Sequence, residues 1–183
     1  MRWLTMFALI VALGGLAGCT GVDSREPVGT APAVLAPEEW NGTWMIPQQG
    51  SLFINVLDGD EGLVQIAVVE KKDEKLVLKS FDAQIRESGS WSFVSLKAEP
   101  EDTTYFWMRI RNENGQITLW LPSAGKFAPL VKEGVLPGEV ADKGKVTLGK
   151  LTDEHLRIIT SCEKGVLMEW EHPLILYRMK EGN

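Results

Sequence analysis

Cysteine and histidine are scarce in this 183-residue chain, with two of each. A structural zinc site needs four soft or imidazole ligands. The residues that could serve, His155, Cys162, Glu154, Glu169 and His172, form no tight cluster, so neither a metal nor any other cofactor is expected. Nucleophilic catalysis needs a nucleophile beside a base that a third group orients. No G-x-S-x-G elbow occurs, His155 falls in a capped helical segment, and His172 precedes Pro173. The carboxylates Glu99, Glu101 and Asp102 lie in a turn, so no enzyme is expected. Basic clusters are also missing: Lys and Arg total 19 against 25 Asp and Glu, a net charge of −6. That balance makes nucleic acid and anionic headgroups poor partners, and no nucleic acid is expected. "DGDEG" (58–62) lacks the spaced oxygen ligands and late glutamate of a calcium loop and reads as a turn. No apolar run reaches the roughly 20 residues of a membrane span.

What is present begins at the N-terminus. Arg2 is followed by an uncharged apolar stretch from Leu4 to about Leu13, and then by small residues up to Cys19. A short apolar core behind a basic residue is a secretory signal. Leu16-Ala17-Gly18-Cys19 resembles the lipobox of bacterial lipoproteins. The resemblance implies cleavage before Cys19, a diacylglyceryl group on its sulfur, and often acylation of the new amine. Two or three acyl chains anchor stably, whereas one anchors marginally. It also implies a domain facing the periplasm, and Thr20 in place of an aspartate favours the outer membrane. Residues 1–18 are then a signal peptide. Acylation of Cys19 leaves Cys162 with no partner in the chain, and burial is the expected state of that thiol.

Residues 19–39 carry Pro27, Pro32 and Pro37 among small and charged residues, with no period of 2 or 3.6. They read as a disordered tether that could reach on the order of 60 Å when extended. The globular domain is placed at 40–183.

From Trp40, strand patterns recur at hairpin spacing: Trp40–Ile46, Leu52–Leu57, Leu63–Val69, Leu76–Phe81, a weaker Ala83–Arg86, Trp91–Ala98, Thr104–Arg111 and Gln116–Leu121. Asn114-Gly115 suits a two-residue turn, because both positions tolerate φ > 0. That turn sets Glu113 opposite Gln116, Ile110 opposite Leu119 and Met108 opposite Leu121. Phe106, Met108, Ile110, Ile117, Leu119 and Leu121 then share a core face. Tyr105, Trp107, Arg109, Arg111, Thr118 and Trp120 share the other, with Arg109 facing Trp120. Tryptophan and arginine are enriched at interface hot spots, so Trp107, Arg109 and Trp120 are candidate binding residues. The alternative for this face is packing beneath the C-terminal helix.

Helical signals come late. Pro129 suits a first helical position and Gly134 a stop, predicting a helix over Pro129–Glu133. Val146–Leu151 reads as a strand. In "LTDEHLRIITSCEKG", Thr152 is the predicted N-cap and Lys164-Gly165 the stop. Leu156, Ile159 and Cys162 make its buried stripe. A strand-like "VLMEW" precedes the last predicted strand, "PLILYRMK" (173–180).

Gly42 stands two residues before Trp44 in "EEWNGTW". This resembles the G-x-W motif that opens lipocalin-like barrels. The resemblance implies that Trp44 packs at the closed end of a barrel beneath an arginine from near the last strand, here Arg178. It covers two short patches, and helices interrupt the strand series before its end.

The expected fold is mainly β: a single antiparallel meander closing into a barrel or half-barrel, with a C-terminal helix and a final strand. The expected function is that of a lipid-anchored periplasmic lipoprotein, a non-catalytic accessory module meeting an envelope protein partner. The alternative is a lipocalin-like carrier of an apolar small molecule. The two differ inside the barrel, since a carrier needs an apolar cavity.

Overall fold

The computed structural model describes residues 21–72, 75–161 and 167–179. The signal segment, Cys19, Cys162 and the Lys164-Gly165 stop lie outside the described residues.

Period-2 alternation builds a barrel. Strands β3 (Gly42–Ile46), β4 (Gly50–Asp58), β5 (Leu63–Lys72), β6 (Lys75–Ser88), β7 (Trp91–Leu96), β8 (Tyr105–Glu113) and β9 (Gln116–Trp120) pair in chain order, each antiparallel to the one before. The last strand, β12 (Leu174–Arg178), pairs with β9 on one side and β3 on the other. Eight strands thus close on themselves, which leaves no barrel edge unpaired. Along each strand alternate residues turn inward, and Trp44, Ile54, Val64, Ile85, Met108, Ile117 and Leu176 belong to one continuous interior cluster. The predicted register of the Asn114-Gly115 hairpin is observed, with Glu113 opposite Gln116, Ile110 opposite Leu119 and Arg109 opposite Trp120. Both turn residues have positive φ.

A second core lies outside the barrel. Between β9 and β12 the chain forms a helix α2 (Ala124–Lys132), strands β10 (Gly138–Val140) and β11 (Val146–Leu148), and a helix α3 (Asp153–Thr160). Phe127, Leu136, Leu148, Leu156 and Ile159 from this excursion are buried with Phe93 and Trp107, which point outward from β7 and β8. Those strands therefore have two apolar faces, one for each core.

The N-terminal stretch read as a tether is part of the fold. Strand β1 (Val22–Ser24) is buried throughout and lies between β8, antiparallel, and β11, parallel. A two-residue strand β2 (Ala31–Pro32) pairs with β6. Val28, Ala33 and Leu35 are buried, and the Val28 N–H donates to the buried hydroxyl of Ser95 at 3.1 Å. Gly29, at φ +127°, lies so close to β6 that a Cβ there would meet the Arg86 Cβ at 2.5 Å. The segment shows no periodicity because its isolated apolar residues fill separate gaps along a crossing path, not one face of a regular element. The domain thus begins at about Val22 and not at Trp40. Trp40 itself ends a short helix α1 (Pro37–Trp40).

Other boundaries move for similar reasons. Strand β6 runs unbroken through the two strands predicted over residues 76–86. Helix α2 begins at Ala124, leaving Pro129 inside it. Burial of Phe127, Leu130 and Val131 along one side holds the helix despite the missing N–H. Gly134, at φ +74°, follows its end as predicted. Thr152 caps α3 as predicted. The His155 N–H donates to the Thr152 hydroxyl, and the Thr152 N–H donates to His155 Nδ1 at 3.1 Å. The helix ends early, at Thr160, whose hydroxyl donates to the Leu156 carbonyl at 2.9 Å. Val146–Leu151 shortens to β11, and β10 carried no recognisable strand pattern.

Candidate functional site

At one end of the barrel, Trp44 is fully buried and its Nε1–H donates to the Trp40 carbonyl at 2.9 Å. Arg178 occupies the paired position on β12. Its guanidinium donates to the carbonyls of Glu38 (2.6 Å) and Asn41 (2.7 Å), tying α1 across the seam between the first and last barrel strands. Gly42 has φ +135°, and a Cβ there would sit 3.6 Å from Arg178 Nε. Gly42, Trp44 and Arg178 thus meet where the first and last barrel strands pair. Of these two site candidates, Trp44 is fully buried, whereas Arg178 is exposed with its donors spent on the Glu38 and Asn41 carbonyls.

The tryptophan–arginine face divides in two. Trp107 is fully buried, edge-on to Phe93 and Phe127 at centroid distances of 5.8 and 5.7 Å. It belongs to the second core, so its candidacy as an exposed contact residue is overturned: α2 and its neighbours cover it. Its indole N–H is buried without a hydrogen-bond partner. Arg109 and Trp120 are half-buried, and two tryptophans not foreseen there join them. The Arg109 guanidinium carbon lies 3.9 Å from the Trp91 ring centroid, 5.0 Å from that of Trp120 and 4.9 Å from that of Trp170. The Trp170 ring stands edge-on to Trp91 at 5.6 Å and close to Trp120 at 5.3 Å. The strand pairing that puts Phe93 opposite Arg109 places Trp91 on the same face, a signal available from the sequence. Trp170 follows an isolated bridge between Met168 and Pro122, outside any regular element, and gave no such signal.

Burial, and to a lesser degree the neighbouring Arg111, lowers the pKa of Arg109 below its ordinary value. Its Nε is buried and unpartnered, and among the described residues no hydrogen bond or ion pair engages its terminal nitrogens. Arg111 is paired with Glu113.

The opposite wall of the barrel is bare. Register places Met179, just past the end of β12, in one outward row with Thr43, Phe53, Ala67 and Ser80 of β3, β4, β5 and β6. Tyr177, Met45 and Ser51 begin a second row, which Val69 and Leu78 continue. Neither row carries a charge. Val69 is 57% exposed, Leu78 69% and Phe53 47%.

Two grooves lie outside the barrel. One, of about 350 Å³, is bordered by Ser24, Thr30, Arg86, Lys150 and Asp153, and the other, of about 470 Å³, by Gln65, Asp82, Lys97 and Tyr105. Among the described residues no three His, Cys, Asp or Glu side chains gather as metal ligands, and no helix is long and apolar enough to cross a membrane. No known protein family, curated protein or solved structure matches the chain.

Proposed function

We propose that this protein is a lipid-anchored lipoprotein of the bacterial envelope, facing the periplasm, whose folded domain is a non-catalytic module docking onto an envelope protein. One observation carries the docking reading: the two uncharged outward rows centred on Phe53 and Val69. Soluble domains seldom leave a contiguous apolar patch exposed without a use for it. The rows carry no lysine or arginine, and residues 70–75 at their end balance three lysines with three carboxylates, which favours a protein surface over an anionic bilayer.

The anchor belongs to the same proposal. Acylation at Cys19 would leave Thr20 and Gly21 between the lipid and β1, a reach of about 10 Å. The domain would rest against the membrane, where the wall meets partners in a fixed orientation.

A photocrosslinking residue in place of Phe53 tests this reading in cells, with the same residue at the exposed turn position Glu61 as the control. A discrete envelope-protein adduct at position 53 and none at 61 is expected. Equal labelling at both positions, or adducts to lipid alone, would contradict it. The lipocalin-like carrier is the second reading, favoured by the Trp44–Arg178 closure. The interior cluster that joins Ile54, Ile85, Met108 and Leu176 weighs against it, since a carrier needs a hollow centre.

A further inference from the structure

The arginines of the barrel strands are treated unequally. Arg86 donates to the carbonyls of Gly29 and Thr30, Arg178 to those of Glu38 and Asn41, and Arg111 to Glu113. Each has an acceptor, as structural arginines do. Arg109 is half-buried, yet among the described residues its donors meet no acceptor, and three indoles surround it. Ring faces hold the guanidinium plane through cation–π attraction without using its N–H groups. A partly desolvated cation whose donors lack an acceptor attracts an anion more strongly than one in open water.

We propose that Arg109, held by Trp91, Trp120 and Trp170, is a binding site for a ligand carboxylate. The planar fork of the guanidinium matches a carboxylate in bidentate geometry, and the indole rims offer apolar contact to whatever carries that group. Glu113 engages the donors of Arg111. Among the described residues of this face Arg109 alone presents an open guanidinium fork, which suits a single carboxylate. This inference is independent of the bare wall, which lies on the opposite side of the barrel.

The test is a titration of the folded domain followed by the indole N–H resonances in NMR. The probes are galacturonate, as an acidic sugar, and acetyl-Ala-Ala, as a peptide C-terminus, against galactose and acetyl-Ala-Ala-amide as neutral matches, with inorganic phosphate as a third anion. Saturable shifts of the Trp91, Trp120 and Trp170 signals with one of the carboxylates and not with its neutral match are expected. Which carboxylate binds identifies the source. Arg109→Gln should abolish the shifts, and Arg109→Lys, which keeps the charge but not the fork, should weaken binding about tenfold or more. The proposal is overturned by no saturable shift up to about 10 mM, beyond the millimolar range of weak binding. Equal response to the neutral compounds or tighter binding of phosphate would overturn it as well. Because wild-type protein alone separates charged from neutral probes, a variant that fails to fold does not decide the outcome.

Discussion

Trp44 and Arg178 face each other across the seam where the first barrel strand meets the last. One is fully buried, and the other binds two main-chain carbonyls of the segment above it. Arg178→Ala would leave the Glu38 and Asn41 carbonyls to water and loosen α1. A loss of about 1–2 kcal/mol in urea unfolding is expected, reduced for the exposure of the site. Arg178→Lys should recover only part of it, because an ammonium cannot reproduce two divergent donors on one plane.

The N-terminal segment provides a second prediction. If residues 22–36 are structural, Leu35→Ala should cost about 2–4 kcal/mol, as for other buried leucines. The amides of β1 should exchange with solvent as slowly as those of β8. A tether would show a negligible change in stability and immediate exchange.

The tryptophans of the second core should separate by burial. Trp107→Ala removes a fully buried ring and should destabilise by about 3–5 kcal/mol. Trp120→Ala, at a half-buried site, should cost roughly half as much. Trp107→Phe should cost under about 1.5 kcal/mol, because it keeps most of the volume and removes an unpartnered N–H. Thermal or chemical denaturation of the three variants checks the order.

Much of the barrel was legible because half-buried antiparallel strands write their orientation into the sequence. The Asn114-Gly115 turn fixed one register, and alternation from Tyr105 to Glu113 fixed which face was which. Residues 22–36 were illegible for a physical reason: Val28, Ala33 and Leu35 occupy unrelated gaps, so no period relates them. Helix α2 was misplaced because burial of Phe127 outweighs the local cost of Pro129. At the candidate site, the Arg109–Trp120 pair followed from register. The fate of Trp107 did not, since it depends on where a distant excursion folds back, and Trp170 arrives from a stretch with no regular pattern.

A buried ion pair links the N-terminal strand to that excursion. Asp23 is 6% exposed, and its carboxylate lies 2.7 Å from Lys145 Nζ. Lys145→Met would strand the carboxylate beside Thr104 alone, at 3.5 Å. A loss of about 1–3 kcal/mol is expected, less than for a fully enclosed pair because the lysine is one-third exposed. Combining it with Asp23→Val should cost less than the two single changes added together, as a double-mutant cycle by urea unfolding would show.

The central claim is that this barrel acts through its outer surface and not through its interior. Native mass spectrometry of residues 20–183, purified from cells without detergent, tests it most directly. The claim predicts a mass equal to the bare chain, with no apolar molecule released on gas-phase activation. A stoichiometric apolar adduct, lost when Met108→Trp fills the centre of the barrel, would contradict it and establish a carrier instead.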